Sequence, residues 1–310
     1  MTTLSRRALL GSLAVLAGAP RLARTQPRAA RLPISFSTLG CPKWSWSRIL
    51  EQADRLGYAA IELRGIEMQM DLPRLAEFTG TRLADSVKEL DARGLKISDL
   101  GASARMHVAE PAARAKQLDE GRRFVDLAHQ LRCPYVRVFG DEVPEGEQKS
   151  VTLARVVDGL RTLGEHARGS GVGILLESHG DFTDSPTLLE LLKGVAMDNV
   201  ALVWDAHHTF VAGKELPAQT YEQLARYVRH THLKDSRPEP ERKEVRYVLT
   251  GEGTVPVRDT VRVLARGGYK GYYGFEWEKG WHPEIPEPEV AFPHYVEVMR
   301  TYLAEAGVTV

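Results

Sequence analysis

After residue 31, short apolar runs alternate along the chain with longer amphipathic segments. Eight of these runs have the length and composition of β-strands that are buried on both faces. They are Ile34–Leu39, Ala59–Leu63, Lys96–Leu100, Tyr135–Phe139, Gly173–Glu177, Val200–Asp205, Arg229–Leu233 and Tyr272–Glu276. The segments between them show the helical spacing of apolar residues, as in Trp46–Leu56, Arg82–Arg93, Ala112–Leu131, Val151–Gly169 and Thr260–Gly267. Glycines near several of the helix ends are typical helix stop signals.

This alternation predicts an α/β fold, a single (β/α)8 TIM barrel over residues 32–310. No linker rich in proline or glycine interrupts it, and strands that alternate with helices favour a parallel sheet. About 280 residues suit a barrel of this kind, whose usual size is about 250. The alternative is a doubly wound open sheet. Against it, the first predicted strand leads to Gly40-Cys-Pro-Lys rather than to a Gly-x-Gly-x-x-Gly motif.

Residues 1–31 differ from the rest and predict a targeting segment with a linker. Ser5-Arg6-Arg7 precedes an apolar stretch from Ala8 to Ala19, and a segment rich in Pro, Arg and Ala follows. A transmembrane helix needs about 20 apolar residues, so this stretch fits a signal-peptide core better. The paired arginines resemble a twin-arginine signal. We expect a periplasmic or secreted protein without a stable membrane anchor; the alternative is a cytoplasmic protein with a basic leader.

Charge and cysteine content exclude some function classes. The chain has 41 Lys+Arg and 41 Asp+Glu, a formal net charge of zero, whereas proteins that bind nucleic acid through its phosphates usually have a basic excess. We therefore expect no nucleic-acid partner. The two cysteines, Cys41 and Cys133, fall at opposite ends of the predicted barrel, so we expect no disulfide between them.

Four of the predicted strands end in a side chain that can bind a metal. These side chains are Glu177, Asp205, His232 and Glu276. Active sites of such barrels lie at the carboxyl ends of the strands, so the four should meet, and buried carboxylates repel one another unless a cation lies between them. The pattern predicts one divalent metal ion. Three carboxylates and one imidazole suit manganese, magnesium, cobalt, iron or zinc.

Ion pairing is the simpler explanation for each of these side chains taken alone. Lys234, Arg64 and Arg137 are near enough in the predicted barrel to neutralise a carboxylate at its mouth. Because all four side chains fall on consecutive predicted strands, the metal site is the better explanation for the set.

Further polar residues are expected around the same site. Side chains two residues apart share a face of a strand, so these residues should lie on the inner face near the metal-competent groups. We predict substrate contact for Glu62 and Arg64, and substrate contact or support of the metal for His179, Lys234 and Glu278. His208, three residues after Asp205, joins this second group.

Three segments carry a resemblance to a known family. They are Phe36-Ser-Thr-Leu-Gly-Cys-Pro, Gly57-Tyr-Ala-Ala-Ile-Glu-Leu-Arg-Gly and Phe275-Glu-Trp-Glu-Lys. Over nearly the whole length after the leader, the chain resembles a sugar phosphate isomerase/epimerase of the xylose isomerase-like TIM-barrel superfamily. The resemblance implies a metal-dependent isomerase or epimerase that acts on a small-molecule carbohydrate, and barrels of this kind often pair as homodimers.

In ketose 3-epimerases of that superfamily, strand-end Glu, Asp, His and Glu residues bind one metal, and the two glutamates move the proton on either face of an enediolate. By resemblance, Glu177 and Glu276 are the catalytic pair, and His208 matches a substrate-contacting histidine. The chemistry of such a reaction requires a metal and two proton-transfer groups independently of the resemblance. Removal of a proton next to a carbonyl needs a base and stabilisation of the resulting oxyanion, and epimerisation needs a second acid on the opposite face.

The chain departs from the ketose 3-epimerases where those enzymes bind the far end of the sugar. The corresponding segments read Ser178-His-Gly-Asp-Phe-Thr and Leu233-Lys-Asp-Ser-Arg-Pro. The resemblance to the ketose 3-epimerases therefore implies their metal site but not their substrate. A lyase that dehydrates a keto-inositol, or that eliminates from a 3-keto sugar, begins with the same proton removal and stays an alternative. An apurinic endonuclease or a non-catalytic sugar-binding barrel fits less well.

Overall fold

The computed structural model describes residues 31–239 and 245–309. Their strands are β1 (Leu32–Ser37), β2 (Tyr58–Leu63), β3 (Lys96–Arg105), β4 (Tyr135–Phe139), β5 (Gly173–Glu177), β6 (Val200–Asp205), β7 (Val228–Leu233), β8 (Asp235–Pro238), β9 (Val245–Val248) and β10 (Tyr273–Phe275). Strands β1 to β7 and β10 are parallel and form a closed eight-stranded barrel, in which β10 lies between β7 and β1. The predicted (β/α)8 barrel is confirmed.

Helices connect the strands and cover the outside of the barrel. They are α1 (Trp46–Leu56), α2 (Gly80–Arg93), α3 (Pro111–Gln130), α4 (Lys149–His166), α5 (Ser185–Val195), α6 (Ala206–Val211), α7 (Pro217–Leu224), α8 (Val257–Arg266) and α9 (Pro288–Glu305). Gly57 and Gly94 end α1 and α2 in the left-handed conformation, with φ of 80° and 62°, which glycine adopts without a Cβ clash. No helix within the described residues is long and apolar enough to cross a bilayer.

The predicted strand bounds agree with the structure best in the middle of the chain. Strands β4, β5 and β6 begin and end at the predicted residues, whereas β3 continues five residues further, to Arg105. The antiparallel hairpin of β8 and β9 was not predicted. The expected export signal lies outside the described residues. Cys41 and Cys133 are both buried and free, as expected.

The main apolar core lies between the barrel and the helices. Trp204 and Trp277, both fully buried, face this layer, as the alternation of side chains predicts. Leu175 of β5 and Ala201 and Val203 of β6 form a small apolar cluster inside the barrel. Above this cluster the inner face is polar, although barrel interiors are usually filled by branched apolar side chains. The polar layer is the floor of the site described below.

Candidate metal centre and active site

The four predicted metal ligands converge at the carboxyl end of the barrel. One ligand atom each from Glu177, Asp205, His232 and Glu276 lies within 4.8 Å of those of the other three, and all four residues are buried. Glu177 and Asp205 end β5 and β6, and His232 lies near the end of β7. Glu276 follows β10 and donates its backbone N–H to Leu233 at 3.2 Å, which holds it at the same level.

Asp205 is held in place by the helix that follows it. Its Oδ1 accepts backbone hydrogen bonds from His207 at 2.9 Å and from His208 at 3.0 Å, as the N-cap of α6. The second oxygen, Oδ2, faces the other candidate ligands. Burial raises the pKa of Asp205 to about 7, with Glu276 and Glu177 acting in the same direction and Lys234 against it. The cap therefore leaves one buried carboxylate oxygen directed into the site.

His232 presents its two ring nitrogens to two different groups of carboxylates. Nδ1 lies 3.3 Å from Glu177 Oε1 and from Glu276 Oε1. Nε2 lies 2.7 Å from Glu62 Oε2, on the opposite side of the ring. Although burial opposes it, the surrounding carboxylates raise the pKa of His232 well above its ordinary value. Nδ1 is thus the ring atom available to a cation shared with the two glutamates.

Two basic side chains neutralise the carboxylates of the site. Lys234 is fully buried, with its Nζ 2.7 Å from Asp205 Oδ2 and from Glu278 Oε1 and in contact with Glu276. Arg137 Nε lies 3.0 Å from Glu177 Oε2. Burial alone would raise the pKa values of Glu177 and Glu276, but the neighbouring cations lower both, Arg137 first for Glu177 and His232 first for Glu276. Both glutamates are therefore ionised at neutral pH, as a base must be.

Histidines form the rim of the site. His179 Nδ1 lies 2.9 Å from Asp141 Oδ1, and its ring lies 5.0 Å from that of His208. His208 Nε2 is in turn 3.4 Å from Asp205 Oδ2. Tyr247, on β9, packs beside His207 and His282. The predicted contacts His179, His208, Lys234 and Glu278 all lie around the four candidate ligands.

Glu62 and Arg64 lie at the edge of the candidate site, Glu62 beside His232 and Arg64 beside β3. Glu62 is 1% exposed and bonds to His230 and His232 below the candidate ligands. Arg64 donates to Ser103 Oγ at 3.0 Å and is near enough to Glu177 and Glu276 to interact with their charges, while burial lowers its pKa to about 10. The substrate contact predicted for both residues stays a prediction, and the position of Glu62 against His232 Nε2 allows it to support that ring.

Three residues that contact side chains of the candidate site were not singled out by the sequence reasoning. Asp141 supports His179, Asp99 lies 3.3 Å from His230, and Arg137 was considered only as an alternative partner for a carboxylate. Arg137 and Asp99 fall inside predicted strands, so the alternation of side chains offered a signal for both. Asp141 follows a strand and adopts φ of 78°, which no local pattern indicated.

The comparison with protein families identifies the barrel. Residues 50–302 match the family described as the xylose isomerase-like TIM barrel. The chain belongs to this family. The resemblance inferred from the three sequence segments is thereby confirmed.

Two relatives named as enzymes are 22% and 26% identical to this chain over the aligned residues. An inosose dehydratase from Serratia proteamaculans is 26% identical over 75% of this chain and 87% of its own. A fructoselysine 3-epimerase from Shigella flexneri is 22% identical over 86% of this chain and 97% of its own. Among solved structures, a xylose isomerase-like TIM barrel protein from Mycobacterium smegmatis in complex with magnesium has a TM-score of 0.66 at 18% identity, over 90% and 98% of the two chains. The structural likeness supports the fold alone.

Proposed function

We propose that this protein is a metal-dependent sugar isomerase or epimerase that removes a proton next to a carbonyl. The observation that carries the proposal is the convergence of Glu177, Asp205, His232 and Glu276 within 4.8 Å. The family membership and the sugar-converting relatives support it. The substrate class is a small-molecule carbohydrate, and the reaction needs no nucleic acid.

The donor set fits one divalent ion. Three carboxylates and one imidazole are the ligands of manganese, magnesium, cobalt, iron and also zinc. Lys234 and Arg137 approach Asp205 Oδ2 and Glu177 Oε2 as ion pairs, yet neither oxygen has an aligned hydrogen-bond donor among the described residues. Buried carboxylate oxygens that lack an aligned hydrogen-bond donor favour the binding of a cation. A bound divalent ion would polarise the carbonyl and stabilise negative charge that develops on its oxygen.

Glu177 and Glu276 are the proposed proton carriers. They come from β5 and from the end of β10, which are not neighbours in the barrel, so they approach a bound sugar from different sides. One takes the proton from the carbon next to the carbonyl, and the other returns a proton to the opposite face in an epimerisation. Isomerisation between aldose and ketose needs return on one face only. Their lowered pKa values keep the glutamate that acts as the base ionised before substrate binds. In an epimerisation the other glutamate must first take up a proton, from water or from a substrate hydroxyl, before it can return one to the opposite face.

His179, His208, Lys234 and Glu278 are the proposed substrate contacts. Lys234 Nζ lies next to Glu276 and Glu278, where an ammonium can donate to a sugar oxygen while it remains paired. His208 is held neutral, because burial and Lys234 lower its pKa well below the ordinary value. A neutral imidazole both accepts and donates hydrogen bonds, which suits a sugar hydroxyl.

Dehydration is the second candidate reaction. It begins with the same proton removal but needs an acid for the departing hydroxide. The contact with Asp141 raises the pKa of His179 although burial opposes it, which favours the protonated form of this histidine at the rim. The inosose dehydratase relatives favour the same reaction. A keto-inositol or a 3-keto sugar is the corresponding substrate class.

Solvent exchange tests the proposal. In deuterium oxide with manganese, magnesium, cobalt or zinc, a panel of ketoses and keto-inositols should include a compound that gains deuterium at the carbon next to its carbonyl. An inverted centre indicates epimerisation, and loss of water indicates dehydration. Glu177→Gln and Glu276→Gln should each reduce exchange by at least about 100-fold, in line with loss of a general base. Binding without exchange or conversion would leave a sugar-binding barrel and overturn the enzyme proposal.

Three further expectations about the whole chain remain proposals. We propose that residues 1–31 direct export and that residues 32–310 form the catalytic barrel, which would place the enzyme in the periplasm or outside the cell. Pairing of two copies as a homodimer is proposed from the resemblance alone. Fractionation of cells that express the full chain, followed by determination of the mature N-terminus and of the mass in solution, tests all three.

A further inference from the structure

A layer of polar side chains lies inside the barrel directly below the candidate metal ligands. It contains Glu62 from β2, Asp99 from β3 and His230 from β7, each at most 1% exposed. His230 Nε2 lies 3.2 Å from Glu62 Oε2 and 3.3 Å from Asp99 Oδ1. One N–H group of His230 therefore bridges two carboxylates that come from neighbouring strands.

Glu62 connects this layer to the site above. Its Oε2 lies 2.7 Å from His232 Nε2, the shortest contact that this ring makes, and it also receives His230. On the other side of the ring, His232 Nδ1 faces Glu177 and Glu276 at 3.3 Å. A carboxylate can only accept from an imidazole, so Glu62 requires the proton of His232 to be on Nε2. In the metal-free protein Glu177 and Glu276 favour a second proton on Nδ1. A divalent ion would replace that proton, while Glu62 holds the one on Nε2.

We propose that Glu62 is a positioning residue, which, with His230 and Asp99 behind it, fixes the ring orientation and the protonated nitrogen of His232 so that Nδ1 can bind the metal. The inference rests on the proposed function, because it assigns support to one of the proposed ligands. Carboxylates that accept the second N–H of a ligating histidine typically contribute about 10- to 100-fold to metal affinity.

The backbone around His230 has the shape that this arrangement needs. Gly274 lies in β10 beside the ring, and a Cβ at that position would be 3.2 Å from the Nε2 and Cε1 atoms of His230 and 2.3 Å from the carbonyl of Thr231. Any other residue would displace the His230 ring or the strand. The glycine leaves His230 space to reach both Glu62 and Asp99.

A purely structural role for Glu62 is the competing explanation. Buried carboxylates also serve as partners for buried histidines, and the two histidines lower the pKa of Glu62 well below its usual range even though burial opposes this. That explanation predicts a loss of folding stability when Glu62 is changed. It does not predict a change in which nitrogen of His232 carries the proton in the loaded protein.

The test compares the wild type with Glu62→Gln. Metal affinity is measured by calorimetric titration of the metal-free protein with zinc and with manganese. The zinc-loaded protein, labelled with ¹⁵N at histidine, is examined by NMR for a His232 with a metal-bound Nδ1 and a protonated Nε2. We expect a loss of affinity of about 10- to 100-fold in Glu62→Gln, and a weakened or lost His232 Nε2–H signal.

Three further variants make the comparison specific. Glu215→Gln removes a half-buried carboxylate that bonds to Ser185 and Thr220 rather than to the site, and should bind zinc like the wild type. Asp99→Asn acts one step further from the ring and should lose less affinity than Glu62→Gln. Glu62→Asp keeps the charge but withdraws it by one methylene, so its metal affinity should lie between those of the wild type and Glu62→Gln. It also replaces Glu62→Gln in the comparison if that variant does not fold.

The outcomes separate this inference from the proposed function. If the wild type binds zinc and manganese, and the Glu62 variants bind them equally well with an unchanged His232 signal, the positioning role is wrong and the metal site stands. If the wild type binds no divalent metal, the proposed function fails and the positioning role fails with it.

Discussion

Asp141 Oδ1 lies 2.9 Å from His179 Nδ1, at a point where the backbone of Asp141 adopts φ of 78°. The carbonyl of Asp141 also accepts the backbone N–H of Asp181 at 2.7 Å, which ties the loop after β4 to the loop after β5. A left-handed aspartate costs about 1 to 3 kcal/mol of backbone strain and persists only where its surroundings require it. Here the strained backbone places a carboxylate behind His179, and the proposed substrate contact of this histidine would be made through its other ring nitrogen, Nε2.

Asp141→Asn should weaken the acid function of His179 without disturbing the loop. Asparagine tolerates the left-handed region, so the backbone is expected to stay as it is. Because the aspartate raises the pKa of His179, its loss should lower that pKa. If protonated His179 is the acid, the alkaline limb of the pH–rate profile moves to lower pH and kcat falls by at least about 10-fold. Asp181→Asn, which alters a neighbouring carboxylate of the same loop, is the control, and an identical profile in both variants would contradict the role.

Asp205→Ala and His232→Ala should each remove most of the bound metal. Each deletes one of the four converging ligands. Two carboxylates and an imidazole remain in Asp205→Ala and three carboxylates in His232→Ala, and neither set of three should hold the ion as tightly as the four. Metal content is measured by mass spectrometry after dialysis against trace metal, with the exposed Glu222→Gln as a control for charge. Full metal content in both alanine variants would show that the ion, if any, binds elsewhere.

His207 should make the protein less stable in mild acid. Burial, assisted by Lys234, lowers its pKa to about 3, so the folded state keeps His207 neutral while the unfolded chain binds a proton below about pH 6.5. The contribution of neutral His207 to the free energy of unfolding is therefore complete above pH 6.5. It is lost as the pH falls towards 3, by up to about 1.4 kcal/mol per pH unit. Urea unfolding of metal-free protein at pH 7 and pH 5 should show a smaller decline for His207→Gln than for the wild type. The surface variant His129→Gln should decline like the wild type.

The periodicity of the sequence was sufficient to predict the barrel, and it could not predict the hairpin. Strands β4 to β6 are continuous apolar runs, because both of their faces are covered. The hairpin strands Asp235–Pro238 and Val245–Val248 have four residues each and no such pattern. Their pairing joins Asp235 to Val248 and Pro238 to Val245, which no local apolar pattern indicates. β3 also continues past its apolar run, since Arg105 can still pair with Phe139 of β4.

The candidate site could be predicted only as far as single strands determine it. Alternation along β7 places His230, His232 and Lys234 on one face, and the structure agrees. The contact between His232 and Glu62 joins residues 170 positions apart and depends on how the barrel closes. Nor does any strand pattern show that Lys234 reaches across to Asp205. Depth within the barrel, which separates a substrate contact from a support, becomes visible only in three dimensions.

Lys234→Met offers the sharpest separation between ion pairing and metal binding. Methionine has a similar length but no charge, so in metal-free protein Asp205, Glu276 and Glu278 lose the ammonium that contacts all three. Breaking a buried ion pair by removing one partner costs about 3 to 5 kcal/mol. We expect a loss of this size in urea unfolding with a chelator present. Saturating manganese or zinc should recover much of it, because a divalent ion restores positive charge to the same oxygens and stabilises the state that binds it. The exposed Lys193→Met should be neutral under both conditions. If metal stabilises the wild type and Lys234→Met equally, the ammonium and the ion do not share these carboxylates, and the site as proposed would need a different set of ligands.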